Sequence, residues 1–141
     1  MNIAICDDDI LYMNKVKEMI EQWGKDNNED VSVYLFNHGD ALINSYQKSK
    51  IDVIFLDIEL PDGSGLTLAQ SLRNANYLGT IIILSAHEDY ALQGYRVRAL
   101  YYIVKPVTLL EITFALSPVI TQLMDDCYTI SISKHETKQI K

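Results

Sequence analysis

Residues 51–65, IDVIFLDIELPDGSG, decide the fold of this chain. The run from 51 to 56 is apolar except at Asp52, which predicts a central strand covered on both faces in a parallel sheet. The turn formers of residues 61–65 separate this strand from the next helix. Asp57 lies at the carboxyl end of the strand, where open parallel sheets bind their ligands. The segment therefore predicts an α/β fold and the sheet edge that carries the chemistry.

The same alternation of a short apolar run and a longer amphipathic one extends in both directions. In the first helix, for example, Met13, Val16 and Ile20 recur at steps of three and four. The predicted strands are residues 2–6, 31–36, 51–56, 80–84 and 99–104. The predicted helices are residues 10–23, 40–48, 66–72 and 87–97, and a last one that starts at the capping box of Thr108 and Glu111. Five βα pairs predict one doubly wound parallel sheet.

The composition fits one globular domain. With 48% apolar residues, 141 residues supply the core of one domain of ordinary size but not of two. The net charge is −7 and no cluster of Lys and Arg interrupts the acidity, so nucleic acid is a poor candidate for a direct partner. The apolar runs are shorter than the ~20 residues of a membrane span, and no signal peptide is evident at the N-terminus. We therefore expect a soluble cytoplasmic protein with no membrane contact. Cys6 and Cys127 have neither disulfide-framework nor metal-site spacing.

Polar residues follow the carboxyl ends of four predicted strands. They are Asp7, Asp8 and Asp9 after the first, Asp57 and Glu59 after the third, Ser85 and Ala86 after the fourth, and Lys105 and Pro106 after the fifth. Each has an ordinary structural explanation when taken alone, because Asp caps helices and Lys-Pro forms turns. The carboxyl ends of parallel strands share one edge of the sheet, so together these residues predict a single site.

The charges at this edge require a counter-ion. Carboxylates about 5 Å apart repel by roughly 3 kcal/mol per pair at an effective dielectric near 20. Lys105 supplies one positive charge and a Mg²⁺ ion, which prefers oxygen ligands, supplies two more, which balances Asp7, Asp8 and Asp57. A cation bound there also attracts a phosphoryl group and leaves a carboxylate placed to attack phosphorus.

Over residues 1–124 the sequence resembles the receiver domains of two-component response regulators. The resemblance rests on the segments IAICDDD, VIFLDIELPDGSG, IIILSAHEDYALQGY and ALYYIVKP, in this order. It implies a flavodoxin-like fold with strand order 2-1-3-4-5. It also implies a signalling switch rather than a metabolic enzyme: a sensor histidine kinase transfers a phosphoryl group to Asp57, and the domain's own chemistry is limited to Mg²⁺-dependent phosphorylation and dephosphorylation.

The resemblance also implies the ligands of the magnesium ion. Asp8 and Asp57 would bind the ion directly, and Asp7 would support it through a water molecule. Glu59 would contribute its backbone carbonyl rather than its side chain.

Further roles follow from the same resemblance. Lys105 and Ser85 would bind phosphoryl oxygens, and Tyr102 stands at the position of the aromatic switch residue. Phosphorylation would then shift the population of states and change the face formed by the fourth helix, the fifth strand and the fifth helix. Glu59 and His87 occupy positions that look like those tuning the lifetime of the acyl phosphate.

Residues 125–141 follow a different pattern. Tyr128, Ile130 and Ile132 alternate with polar residues, which predicts a strand. This segment is similar to the start of LytTR-type DNA-binding domains, so we expect a linker and the opening of a truncated output domain, through which alone DNA would be a partner. Pro118 predicts a kink or break in the last helix and is unusual for the homodimer that the switching face would otherwise form.

Two alternatives stay open on the sequence. A magnesium-dependent phosphatase of the haloacid-dehalogenase type also uses an aspartate nucleophile at a strand end, and Asp57-Ile58-Glu59 superficially matches its motif. A degenerate receiver that acts only as a binding module is the second alternative, although every expected site residue is present.

Overall fold

The computed structural model describes residues 1–46, 50–61 and 63–135. The strands are β1 (Asn2–Cys6), β2 (Ser32–Phe36), β3 (Val53–Asp57), β4 (Glu59–Leu60), β5 (Gly63–Ser64), β6 (Thr80–Ser85) and β7 (Tyr101–Val104). The helices are α1 (Ile10–Asp26), α2 (Gly39–Tyr46), α3 (Gly65–Asn74), α4 (Ala91–Arg96) and α5 (Leu109–His135). A 3₁₀ turn, Glu88–Tyr90, precedes α4.

The five long strands form one parallel sheet in the order β2-β1-β3-β6-β7. Counted among the long strands alone, this is the order 2-1-3-4-5, so the predicted doubly wound flavodoxin-like fold is confirmed. The order reverses beside β1, and β3 is therefore central, with all of its residues buried. The two-residue strands β4 and β5 form a small antiparallel hairpin beyond β3.

The core has two halves because successive side chains of a strand point to opposite faces of the sheet. Val53 and Phe55 of β3 belong to the half that also contains Trp23 of α1 and the buried residues of α5. Ile54 and Leu56 belong to the other half, with the buried residues of α2 and α3. Both faces of β3 are thus covered, as its unbroken apolar run predicts. Among the described residues, no helix is both long enough and apolar enough to cross a membrane.

The fourth helix is shorter than its sequence pattern predicts. Instead of one helix over residues 87–97, the chain makes the 3₁₀ turn and then the six-residue α4. Arg98 has a left-handed backbone (φ 57°), and the N–H of Ala99 donates to the carbonyl of Gly94, which closes the helix. Because Ala99 completes this cap, β7 starts two residues later than predicted.

Helix α5 is longer than predicted. The strand expected over residues 128–133 is wrong, since these residues continue the helix to His135. A lone strand has no neighbouring edge to bond with, whereas a helix satisfies its own backbone. The break expected at Pro118 is also not found, because the helix continues through this exposed residue. The boundary at residue 124 stays a prediction, and residues 136–141 of the expected output segment lie outside the described residues.

Arg73, near the end of α3, joins two loops at the amino-terminal edge of the sheet. Its Nη1 donates to the carbonyls of Tyr77 and Gly79, both at 2.8 Å. Its Nε and Nη2 donate to the carbonyls of Val97 and Arg98, both at 2.9 Å. The guanidinium thereby connects the α3–β6 loop to the carboxyl end of α4.

Candidate functional site

Three acids meet at the carboxyl edge of the sheet. Strands β1 and β3 are hydrogen-bonded neighbours, and their register pairs Cys6 with Leu56. Asp7 and Asp57 therefore emerge side by side, with Asp8 one residue further along the first loop. One carboxylate oxygen from each of the three acids lies within 4.8 Å of the others. Asp7 and Asp57 are buried, at 0% and 5% exposure, and Asp8 is exposed to solvent.

Lys105, which follows β7, reaches across to the two buried acids. Its Nζ lies 2.9 Å from Asp7 Oδ2 and 3.1 Å from Asp57 Oδ2. One ammonium beside three carboxylates leaves a formal charge of −2. The site therefore retains an unbalanced negative charge.

Backbone N–H groups orient the same two carboxylates. The N–H of Asp9 donates to Asp7 Oδ1 at 3.0 Å, and the N–H of Glu59 donates to Asp57 Oδ1 at 3.1 Å. The second oxygen of each carboxylate accepts from Lys105. Both oxygens of each buried acid thus have a donor, which holds the carboxylates in defined orientations.

The environment changes the acidity of Asp57 and Lys105. Burial, followed by repulsion from Asp7, raises the pKa of Asp57 to about 6, although the Glu59 N–H and Lys105 favour its ionised form. Burial alone would lower the pKa of Lys105, but its bonds and attraction to Asp7 and Asp57 outweigh this effect and raise it. Lys105 is therefore charged at neutral pH, whereas burial makes the ionised form of Asp57 less favourable.

Ser85, His87 and Tyr102 form a connected group beside the acids. Ser85 is buried at the end of β6, and its Oγ accepts from the N–H of His87 at 2.9 Å. The hydroxyl of Tyr102 on β7 donates to the carbonyl of His87. The ring of Tyr102 lies against Gly94 of α4, where an added Cβ would be 3.3 Å from the ring. The β6–α4 loop is thus tied both to the end of β6 and to β7.

Glu59, the first residue of β4, and His87, in the β6–α4 loop, approach each other beside the site. The Nε2 of His87 lies 3.7 Å from Oε1 of Glu59, and their side chains are 54% and 68% exposed. Both predicted rate-tuning residues therefore stand at the rim of the site rather than among its buried groups.

Sequence reasoning missed two residues that shape the site. A Cβ on Gly65 would lie 1.9 Å from the carbonyl oxygen of Asp57, so only glycine allows α3 to start this close to the strand end. The ring of Tyr12 lies under Lys105, with Nζ 4.6 Å from the ring centroid. Gly65 could have been found from its place in the turn. Tyr12 could not, because its place beside the apolar stripe of α1 is that of an ordinary core residue and its contact with Lys105 is tertiary.

The donor set fits a small hard cation. All three acids offer carboxylate oxygens, and no imidazole or thiolate is among the grouped ligands of the described residues. Mg²⁺ and Ca²⁺ prefer oxygen ligands, and Mg²⁺ keeps several of its waters, which suits an exposed Asp8 beside two buried acids.

Comparison with known proteins gives the family. The model of the response regulator receiver domain matches residues 3–117. The chain is 29% identical over 109 residues to the sensory transduction protein LytT of Bacillus anthracis, which covers 75% of this chain and 42% of LytT. It is 30% identical over 125 residues to the transcriptional regulatory protein RprY of Bacteroides fragilis, which covers 87% of this chain and 50% of RprY. The chain thus spans about half the length of these relatives.

Solved structures agree with this assignment. The response regulatory domain of mrkE from Klebsiella pneumoniae superposes with a TM-score of 0.77 at 25% identity, covering 89% of this chain and 99% of that one. A two-component response regulator from Clostridium difficile superposes with a TM-score of 0.76 at 26% identity, covering 87% and 98%. The gathered acids, the lysine that joins them, the sheet order and these matches lead to one conclusion: the chain belongs to the family of response regulator receiver domains.

Proposed function

We propose that this domain accepts a phosphoryl group on Asp57 from a phosphohistidine of a sensor histidine kinase. A carboxylate oxygen of Asp57 forms the new bond to phosphorus as the P–N bond to the histidine breaks, and the histidine nitrogen keeps the electron pair. The observation that carries the proposal is the placement of Asp57, which is buried at the sheet edge and lies 3.1 Å from Lys105.

We propose Mg²⁺ as the cofactor. Asp8 and Asp57 would hold the ion directly, Asp7 would act through a water molecule, and Glu59 would add its backbone carbonyl. The bound ion would neutralise charge on the acids and on the incoming phosphoryl oxygens. The three grouped carboxylates, which Lys105 balances only in part, support this assignment.

The chain's own residues then convert the new charge into a change of shape. Lys105 exchanges its bond to the Asp57 carboxylate for one to a phosphoryl oxygen, and the Ser85 hydroxyl donates to another. Ser85 Oγ also accepts the His87 N–H, so its movement displaces the loop whose carbonyl holds Tyr102. Tyr102 then leaves its resting contact, and the face formed by α4, β7 and α5 changes. We propose that Glu59 and His87 set the lifetime of the acyl phosphate from the rim.

The partner that recognises this face would be an attached output domain. We propose that residues 1–124 form the receiver and that residues 125–141 lead to a LytTR-type DNA-binding domain, so that the whole protein regulates transcription. Support comes from relatives that are longer than this chain and carry the names sensory transduction protein and transcriptional regulatory protein. DNA would be bound through the output domain only, because this part of the chain carries a net charge of −7. We also propose that the domain forms a homodimer, although Pro118 in α5 argues against contact through this same face.

Phosphoramidate tests the proposal, because it presents a P–N bond as phosphohistidine does. Incubation with Mg²⁺ should add the mass of one phosphoryl group, and the addition should disappear with EDTA or in Asp57→Ala. The exposed acid Asp30 provides the matched control, since Asp30→Ala should be phosphorylated as the wild type is. Turnover of p-nitrophenyl phosphate without a stable phosphoprotein would instead support the phosphatase alternative and overturn the proposal.

A further inference from the structure

We infer that Tyr12 is a positioning residue of the phosphoryl-transfer site and acts through Lys105. The inference rests on the proposed function and extends it to a side chain on α1, outside the group of strand-end residues that carry the chemistry. Tyr12 makes no hydrogen bond to Asp7 or Asp57, and its ring and hydroxyl contact the lysine and the loop that follows the lysine.

The first contact is between the ring of Tyr12 and the ammonium of Lys105, whose Nζ lies 4.6 Å from the ring centroid. This distance lies within the range of cation–π attraction, which is strengthened where the cation is partly removed from water. The Lys105 side chain is only 20% exposed. The ammonium is thus held by two carboxylate oxygens and by one aromatic face.

These contacts differ in what happens to them during phosphoryl transfer. When Asp57 becomes phosphorylated, the carboxylate oxygen that Lys105 contacts changes its charge and its bonding, and the lysine exchanges that bond for one to a phosphoryl oxygen. The Tyr12 ring undergoes no chemical change. The ring contact therefore persists through the exchange and keeps the ammonium within reach of the reacting oxygens.

The second contact fixes the ring itself. The N–H of Val107, a buried residue two positions after Lys105, donates to Tyr12 Oη at 2.8 Å. At the other end of the residue, the Tyr12 N–H donates to Oδ1 of Asp9, which caps α1. Tyr12 thereby joins the loop that carries the acids to the loop that carries the lysine, and the ring cannot swing away without breaking a hydrogen bond.

Two substitutions separate the ring contact from the hydroxyl contact. Tyr12→Phe keeps the ring under Lys105 and loses the bond to Val107, whereas Tyr12→Leu loses both. The exposed neighbour Leu11 provides a control, because Leu11→Ala changes the same turn of α1 without touching the site.

The experiment measures the initial rate of Asp57 phosphorylation in the 141-residue chain against phosphoramidate concentration at saturating Mg²⁺. We expect the maximal rate of Tyr12→Leu to fall about fivefold or more, and that of Tyr12→Phe to stay within about twofold of the wild type. A second readout is the NMR signal of the Lys105 ε-methylene, assigned with Lys105→Met. The aromatic ring should shift it upfield in the wild type and in Tyr12→Phe but not in Tyr12→Leu.

The outcomes are distinct. Loss of both the rate and the ring-induced shift in Tyr12→Leu alone would support the inference. Equal maximal rates in all variants, or a loss of rate in both Tyr12 variants that only follows their loss of thermal stability, would overturn it. If the wild-type chain takes up no phosphoryl group, the proposed function fails and the inference fails with it. A phosphorylated wild type with an unaffected Tyr12→Leu variant overturns the inference alone.

Discussion

The hydroxyl of Tyr102 donates a hydrogen bond to the backbone carbonyl of His87. The N–H of the same histidine donates to Ser85 Oγ at 2.9 Å. One residue of the β6–α4 loop thus links the group proposed to bind the phosphoryl oxygen to the group proposed to switch. A change at Ser85 reaches Tyr102 through a single peptide segment.

Removal of the Tyr102 hydroxyl should loosen this loop. Tyr102→Phe keeps the ring against Gly94 but leaves the His87 carbonyl without its donor, so the free energy of unfolding should fall by about 0.5–1.5 kcal/mol. Amide hydrogen exchange over residues 87–90 should accelerate. Tyr101→Phe on the same strand is the control, and equal exchange rates in the two variants would show that the bond does not restrain the loop.

The charge of Asp57 should cost stability in the absence of divalent ions. Burial and Asp7 raise its pKa from 3.8 to about 6, so the folded state holds this proton more tightly than the unfolded chain. The stability contributed by the protonated form is fully present below about pH 4 and is lost as the pH rises to about 6, by at most about 3 kcal/mol. Asp57→Asn should therefore be more stable than the wild type at pH 7.

The advantage of Asp57→Asn should shrink between pH 6 and pH 4, because the wild type then binds the proton itself. Urea unfolding in EDTA at several pH values measures this difference. A constant difference across the range would show that the effect does not come from ionisation of Asp57.

Magnesium should stabilise the domain through Asp8. At a concentration of one hundred times its dissociation constant, a ligand of the folded state adds about 2.7 kcal/mol, which corresponds to roughly 5–10 °C in Tm. Asp8 is exposed, so Asp8→Asn should fold normally and lose most of this shift. Glu21→Gln removes another exposed acid, on α1, and should keep the shift in Tm. Thermal unfolding with and without Mg²⁺ would contradict the assignment if both variants behaved alike.

The rim pair should control the lifetime of the phosphorylated state. Glu59 and His87 bring their side chains within 3.7 Å of each other across the mouth of the site, so we expect them to restrict the access of water to the phosphoryl group. Glu59→Ala and His87→Ala should each accelerate loss of the phosphoryl group by roughly threefold to tenfold. This change corresponds to about 1 kcal/mol in the barrier to dephosphorylation. Little change is expected in Tm because both side chains are exposed. Glu88→Ala serves as control, and unchanged decay in both rim variants would refute the prediction.

Gly65 should not tolerate even a methyl group. Alanine has the higher helix propensity by about 1 kcal/mol, so propensity alone predicts that Gly65→Ala stabilises α3. The Cβ would lie 1.9 Å from the Asp57 carbonyl oxygen, however, and the backbone must move. We expect a net loss of about 1–3 kcal/mol in unfolding free energy and slower phosphorylation of Asp57. Thr67→Ala, on the exposed face of the same helix, should lose neither stability nor phosphorylation rate. A stabilised Gly65→Ala variant would mean that the backbone at the end of β3 moves at little cost.

Most of the fold could be predicted because periodicity reports on burial. The unbroken apolar run of β3 and the stripe of α1 follow from which faces are covered, and the structure covers those faces. The failures lie where local pattern and tertiary context disagree. Alternation over residues 128–133 is typical of a strand only if a neighbouring edge exists, and the chain instead extends α5.

The part of the site that lies at the ends of strands could be predicted from the sequence. Asp7, Asp57 and Lys105 converge because parallel strands present their carboxyl ends together, a rule that needs no side-chain detail. The contact of Tyr12 with Lys105 depends on how α1 packs beside the β7–α5 loop, which no local pattern encodes. The tie between His87 and Tyr102 depends in the same way on the exact path of a loop.

The guanidinium of Arg73 determines how α4 can respond. Its four hydrogen bonds to backbone carbonyls connect the carboxyl end of α4 to the α3–β6 loop. The amino end of α4 follows a 3₁₀ turn and has no side-chain cap. A helix that is restrained at one end can tilt about that end. In the proposed switch, a displacement that begins at His87 would be greatest over Glu88–Tyr90 and would decline toward Val97. A partner would then sense the tilt of α4 chiefly at its amino end, whereas the amino-terminal edge of the sheet would move little.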